Sequence, residues 1–398
     1  MAKSPTFENA IEFAQELIRI PSPSGQEGGV AERIQSEMVS LGLRDIRTDE
    51  VGNVIGCVQG TGTAPPVLLS CHTDVVAVGD HAEWEHPPFG GDISEGFLHG
   101  RGSMDIKGPL ALQTYAAAAL AGRADGDVIV AHTVFEERGG LGMKHLLESG
   151  TVQPGAVVIG ESTHGDICIG HRGRGEVEVV LQGLAGHASA PDRARNALDL
   201  VPEVLAAIQA LAKDQPEDAV LGTSSIVATG VEVLPESRNV IPDRVTVVLD
   251  WRVLPGTNAE GMTSLVKEVV SRRLGHLPDG FGVTVSMAQE RQATYTGLAH
   301  EHSVFTPGFL MDLDDSLVLA AASAVGRRTG DGPAAVRPWT FATDGGWSRG
   351  IFGIPTVGFA PGEERYAHTN RERLDVDEAR WVFARYPDLI LALQDELA

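Results

Sequence analysis

Over residues 7–20, apolar side chains fall at Phe7, Ile11, Phe13, Ala14, Leu17 and Ile18, the spacing of one helical face, and the pattern stops at Pro21-Ser22-Pro23-Ser24-Gly25. A second helix is predicted over 27–41, closed by Gly42, the residue type that best tolerates a left-handed C-cap. Short apolar runs then occur at 54–58, 67–71, 127–135 and 156–159. Several are continuous rather than alternating, as expected of strands buried on both faces beneath helices. A helix predicted over 107–121 lies between two of these runs, so the first part of the chain reads as α/β.

From Gly175 the pattern changes. Residues 176–181 and 244–250 alternate apolar and polar, as strands with one wet face do, and helical stretches are predicted at 197–213 and 259–274. Two helices on one face of a mainly antiparallel sheet would make a small α+β domain. The α/β pattern resumes with a helix over 317–328, a strand over 356–359 and a final helix that Pro387 is expected to kink or divide. The expected organisation is an α/β domain formed by 1–172 and 308–398, with 173–307 inserted into it.

The length of 398 residues agrees with two domains, since single cores stop growing at roughly 250 to 300 residues. Apolar residues make up 42% of the chain, which places it among folded globular proteins. The charge balance, 31 − 54 = −23, argues against nucleic acid or an anionic membrane as partner. Cys57, Cys71 and Cys168 are odd in number and unpaired in spacing, which points to a reducing compartment. No apolar run approaches the ~20 residues of a membrane span, and Met1-Ala2-Lys3-Ser4-Pro5 lacks the apolar stretch of a signal peptide. A soluble cytoplasmic protein is expected.

Five segments carry the candidate chemistry. Leu68-Leu69-Ser70-Cys71-His72-Thr73-Asp74 ends an apolar strand with His and Asp on one face, which leaves Cys71 on the other as a bystander. His99-Gly100-Arg101-Gly102-Ser103-Met104-Asp105 opens a helix, and Glu136-Glu137 and Glu161 each follow an apolar strand. His368 lies in the loop after the strand at 356–359. Taken singly, each has a bland reading: a polar strand end, an N-cap, a solvated acidic pair. Together they place His, Asp and Glu beyond the carboxyl ends of sheet strands, where open α/β sheets bind ligands. Two imidazoles with three or four carboxylates suit a pair of divalent ions about 3.5 to 4 Å apart that share a bridging carboxylate.

In order and spacing these segments resemble the zinc aminoacylase/carboxypeptidase family, which includes acetylornithine deacetylase, succinyl-diaminopimelate desuccinylase and bacterial glutamate carboxypeptidase. The resemblance covers nearly the whole chain. It implies a dimetal-exopeptidase-like α/β catalytic domain with an inserted α+β lid that mediates homodimerisation. It implies that His72, Asp105 and Glu161 ligate one metal and Asp105, Glu137 and His368 the other, with Zn²⁺ expected and Co²⁺ or Mn²⁺ as alternatives. By the same match Asp74 orients His72, and Glu136 is the general base toward a water between the metals.

In the lid, Gly186-His187-Ala188-Ser189 matches a histidine that reaches into the partner subunit's site as an oxyanion donor. Asn239 and Arg252 match positions that contact substrate, Arg252 as a carboxylate clamp or else as a partner of nearby acids. Thr343, in Phe341-Ala342-Thr343-Asp344-Gly345-Gly346, matches a hydrogen-bond donor in a substrate loop. His171-Arg172 stands where the desuccinylase has two Arg, which leaves Arg172 as a candidate contact and argues against carrying over its succinyl specificity. His99 stands where relatives commonly have Tyr, and nothing in the sequence accounts for it.

The reaction expected is hydrolysis of an amide in a small substrate with a free carboxylate. Two rivals remain open at this level: an aminohydrolase that releases ammonia with the same metals, and a non-catalytic protein that has kept the fold.

Overall fold

The computed structural model describes residues 3–398; Met1 and Ala2, with which the N-terminal stretch read above begins, lie outside the described residues. The first helix, α1 (Phe7–Ile18), is capped by the Thr6 hydroxyl, which accepts the Asn9 N–H at 3.3 Å. The second, α2 (Gly28–Leu41), ends at Gly42 in the left-handed region, φ 82°. The third, α3 (Lys107–Ala118), is buried over its whole length between α1 and the C-terminal helix Val376–Leu397. Its small residues Ala111 and Ala116 to Ala118 let neighbours close on every side.

These helices cover an eight-stranded sheet, introduced in chain order as β1 (Arg44–Thr48), β2 (Val54–Val58), β3 (Val67–His72), β4 (Val128–Thr133) and β5 (Ala156–Ile159). Across the sheet the order is β1, β2, β4, β3, β5, Thr356–Gly358, Ile167–Cys168 and Val336–Arg337. Strands β4, β3, β5 and Thr356–Gly358 are mutually parallel at its centre. Every residue of β3 and β5 is buried, which explains why their sequences run apolar without alternation.

The chain forms two compact units. Among the described residues the first comprises 3–171, Gln292–His300 and Phe309–Ala398, and the second Arg172–Arg291 and Glu301–Gly308. The second is an antiparallel sheet in which β6 (Gly173–Gln182) lies between β8 (Arg244–Val253) and Gly282–Met287, with β7 (Ser225–Leu234) on the outer edge of β8. Helices α4 (Val201–Leu211) and α5 (Ala259–Leu274) pack on it around a core of its own.

Three expectations meet a different outcome. The stretch predicted as one helix over 197–213 begins as the 3₁₀ turn Ala197–Leu200, and α4 starts only at Val201 with Pro202 in its first turn, where a missing N–H costs nothing. Gln292–His300, inside the expected insertion, sits with the first unit. Tyr295 donates from its hydroxyl to Gly52 O at 2.8 Å and sets its ring against Gly52, where φ is 111° and any Cβ would run into the ring. Pro387 does not divide the last helix, which runs unbroken from Val376 to Leu397. Tyr386, Leu389, Ile390 and Leu393 are fully buried around it, and Tyr386 Oη donates to Phe359 O at 2.6 Å, so packing holds the turn that loses one main-chain bond.

Candidate metal centre

The carboxyl ends of the parallel strands meet at one place. His72 is the last residue of β3, Glu136 and Glu137 follow β4, and Glu161 follows β5. His368 comes from the loop beyond Thr356–Gly358, and Asp105 lies just before α3. Asp105 does not cap that helix, whose N-cap, Ile106, makes no side-chain hydrogen bond. The carboxylate instead divides its oxygens between the two histidines, Oδ1 at 3.1 Å from His72 Nε2 and Oδ2 at 3.2 Å from His368 Nε2. Glu161 Oε1 is 3.3 Å from His72 Nε2, and Glu137 Oε2 is 3.1 Å from His368 Nε2.

Two sets of three donors result, His72, Asp105, Glu161 and Asp105, Glu137, His368, each with its ligand atoms within 4.8 Å of one another. Donors held at ~2.0 to 2.2 Å around a tetrahedral ion lie roughly 3.3 to 3.6 Å apart, so the spacing fits a divalent cation in each set. Electrostatics make the same demand. Burial, with His72 partly offsetting the Asp105 charge, pushes Glu161 up to about 7. Burial and then the Asp105 charge raise Glu137. Burial opposes the charges of His72 and Asp105 alike, yet the bonds between them, and those of each to its other partners, carry His72 well above 6.5 and hold Asp105 below the usual range. His368, bonded to Asp105 and Glu137, rises to about 10. In the metal-free chain the two imidazolium ions thus stand where cations would.

Two positions in or beside the donor sets carry positive φ without being glycine, Phe135 at 57°, just before Glu136 and Glu137, and His368 at 59°. Such backbone is sparsely populated for residues with a Cβ and persists where surrounding contacts fix it. At Phe135 the fixing group is Asp74, whose Oδ1 accepts the Glu136 N–H at 3.1 Å and whose Oδ2 accepts the Glu137 N–H at 3.3 Å and the Ser24 hydroxyl at 2.6 Å. The nearest partner of His72 Nδ1 is the main-chain oxygen of Asp74 at 2.8 Å, with the carboxylate at 3.5 Å. Asp74 therefore meets both His72 and the turn that bears Glu136. Among the described residues the Glu136 carboxylate has no hydrogen-bond or ion-pair partner, and its pKa is raised well above 4.5 by burial and by the charges of Glu161, Asp344 and Glu137. Cys71 is a bystander: its Sγ lies 3.3 Å from Gln113 Oε1 and burial raises its pKa.

The other candidates are placed differently. His187 and Asn239 lie together in the second unit, where Gly186–His187 pairs with Val240–Ile241 and the Ala188 N–H donates to Asn239 O at 3.0 Å. The Ser189 N–H donates to His187 Nδ1 at 3.1 Å, which makes Nδ1 an acceptor and leaves the proton of the neutral ring on Nε2. Arg252 Nε donates to Asp250 Oδ1 at 2.9 Å, the acid pairing anticipated as its alternative. Arg172 donates to Thr223 O at 2.6 Å. Thr343 is fully buried, with its hydroxyl 3.0 Å from His171 Nε2. His99 stacks on His86 with ring centroids 3.7 Å apart. Sequence reasoning missed Arg101, Asp344 and Glu372, all buried beside the donor sets, because none ends a strand or stands in a recognisable spacing.

The fold and this centre define a metal-dependent hydrolase. The chain belongs to the peptidase family M20/M25/M40, whose pattern it matches over residues 68–391. It is 31% identical over 405 residues to succinyl-diaminopimelate desuccinylase of Phenylobacterium zucineum, covering 96% of this chain and 97% of that protein. It is also 30% identical over 366 residues to the Escherichia coli K12 protein YgeY, covering 91% of this chain and 88% of that one. In fold it resembles the M20 family metallo-carboxypeptidase Sso-CP2 of Sulfolobus solfataricus, with TM-score 0.75, 18% identity and coverage of 97% and 99% of the two chains. Among the described residues no helix is long and apolar enough to cross a membrane.

Proposed function

We propose that this hydrolase cleaves an amide in a small substrate with a free carboxylate, an N-acyl amino acid or short peptide, and releases the amine. The observation that carries the reading is the unpartnered Glu136 carboxylate beside two donor sets joined through Asp105. His72, Asp105 and Glu161 would hold one divalent ion and Asp105, Glu137 and His368 the other, Zn²⁺ by preference with Co²⁺ or Mn²⁺ as substitutes. When bound, the ions supply Lewis-acid polarisation of water and of the scissile carbonyl. Glu136 takes a proton from the attacking water and returns it to the departing nitrogen, a role open only to a carboxylate free of ligation. Asp74 keeps Glu136 in place through the two main-chain N–H groups it accepts.

The proposal extends to a cytoplasmic homodimer in which His187 of the partner subunit donates Nε2–H to the developing oxyanion, the tautomer that the Ser189 bond favours. The edge strand β7 exposes Val227, Val231 and Leu234, and with α4 it lines a groove that includes Leu205, Ile208 and Ile226, a surface suited to a second copy. Asn239, Arg252, Arg172 and Thr343 remain the proposed substrate contacts. For Arg252 this requires exchanging Asp250 for the substrate carboxylate, and Thr343 would act through His171.

The test is a screen of N-acyl amino acids and dipeptides with the Zn²⁺, Co²⁺ and Mn²⁺ forms, reading free amine and ammonia separately. Amine release that chelation abolishes and added metal restores is expected. Ammonia as the product would establish an aminohydrolase instead, and full activity in a verified metal-free sample would remove the mechanism.

A further inference from the structure

Behind Asp105 lies a buried carboxylate that the mechanism above does not use. Glu372 is 1% exposed, and its Oε1 accepts the main-chain N–H groups of Met104 and Asp105, both at 3.2 Å. Its Oε2 pairs with the Arg101 guanidinium, itself 2% exposed and lying over the Trp84 ring. The chain delivers Glu372 there by strand pairing. Arg373–Asp375 runs antiparallel to Phe97–His99, with Arg373 opposite His99, and the Gly100 N–H points to Glu372 O at 3.4 Å. The turn from Gly100 to Asp105 can then wrap around the side chain because Gly100, at φ 130°, and Gly102, at φ 85°, take backbone that residues with a Cβ rarely adopt.

The same short segment carries His368, four positions earlier. The Thr369 hydroxyl donates to Tyr366 O at 2.8 Å and accepts the Arg371 N–H at 3.2 Å, which sets the step from ligand to Glu372. One carboxylate therefore ties the turn that bears Asp105 to the loop that bears His368. Asp105 is the one residue shared by both donor sets, so an error in its placement is felt at both.

We propose that Glu372 is a positioning residue which, by accepting the Met104 and Asp105 N–H groups, fixes the bridging carboxylate for both metal positions at once. Arg101 balances the charge, and the acceptor oxygen sets the geometry. The proposal rests on the two-metal reading given above.

Two double variants separate acceptor from charge. Arg101→Leu with Glu372→Gln keeps an amide oxygen for the two N–H groups while removing the buried ion pair. Arg101→Leu with Glu372→Leu removes the oxygen as well, and apolar replacement of a buried pair is often neutral for folding. Co²⁺ alone is titrated into each metal-free protein, with the two binding steps read by absorption and by chelator competition and folding followed by circular dichroism. The Gln form is expected to keep both affinities within about threefold of wild type. The Leu form should weaken both steps together by ~10 to 100-fold, the usual cost of losing a group that orients a ligand.

Equal affinities in the two doubles, or a loss confined to one step, would overturn the role. If the Leu double fails to fold, the Gln double still decides: a large loss of both metals there, with the acceptor present, would also overturn it. A wild-type chain that bound no Co²⁺ would sink the two-metal reading and this inference with it, whereas normal wild-type binding with unaffected variants sinks the inference alone.

Discussion

Glu136 and Glu137 are adjacent acids with opposite expected roles, and exchanging each for Gln distinguishes them. Glu137 has both oxygens near His368 Nε2, at 3.2 and 3.1 Å, and belongs to the second donor set. Glu136 is held through its main chain, its N–H accepted by Asp74 at 3.1 Å and its carbonyl accepting the Gly139 N–H at 3.0 Å, and Glu136→Gln leaves both bonds in place. Burial, only partly offset by the His72 charge, raises the Glu136 pKa well above 4.5, so a neutral amide is no worse accommodated there and the metal-free variant should melt no lower than wild type. Its kcat should fall by ~10² to 10⁴, which at about 1.36 kcal/mol per decade is roughly 2.7 to 5.4 kcal/mol of lost transition-state stabilisation. Glu137→Gln should lose one ion from the second set. Metal content per chain, kcat by amine release and thermal melting with and without metal are the three measurements. A Glu136→Gln protein that lost an ion while Glu137→Gln kept two would exchange the assignments, and a Glu136→Gln kcat within threefold of wild type would leave the reaction without its base.

Three further outcomes are expected. His187→Ala should bind metal normally and be nearly inactive, and mixing it with Glu136→Gln under subunit exchange should recover about a quarter of the wild-type activity per subunit, because half of the dimers carry one intact site; no recovery despite demonstrated exchange would rule out a shared site. Metal binding near pH 7 should release protons, since His368 titrates at about 10 and His72 well above 6.5 in the metal-free chain, so apparent affinity rises with pH. Both folded-state values lie above the unfolded one, so their contribution to metal-free stability is present below ~6.5 and lost as pH climbs through about 10; calorimetry in two buffers of different ionisation enthalpy and melts across that range check the sign. Gly52→Ala should destabilise by more than about 1 kcal/mol, from its φ of 111° and the Tyr295 ring, whereas Tyr295→Phe should cost about 1 kcal/mol for one hydrogen bond; denaturant unfolding that ranks them in reverse would contradict the packing described for 292–300.

Part of the candidate centre was legible along the chain, because four of its residues sit where a buried strand ends, a place where an apolar run has no reason to put a charge. His72, Glu136, Glu137 and Glu161 each follow such a run, and a continuous run of that kind also announces a sheet covered on both faces. Local periodicity likewise fixed the starts of α1 and α3 and the C-cap of α2. What it lacked was any record of partners distant in sequence. That Asp105 gives one oxygen to each histidine, that Asp74 accepts two main-chain N–H groups sixty-two and sixty-three positions away, and that Glu372 reaches back to Met104 and Asp105 are outcomes of strand order and turn geometry. Pro387 makes the same point for the fold. Its local preference is to break a helix, and the burial of Tyr386, Leu389, Ile390 and Leu393 overrides it, because several buried side chains outweigh one missing main-chain bond.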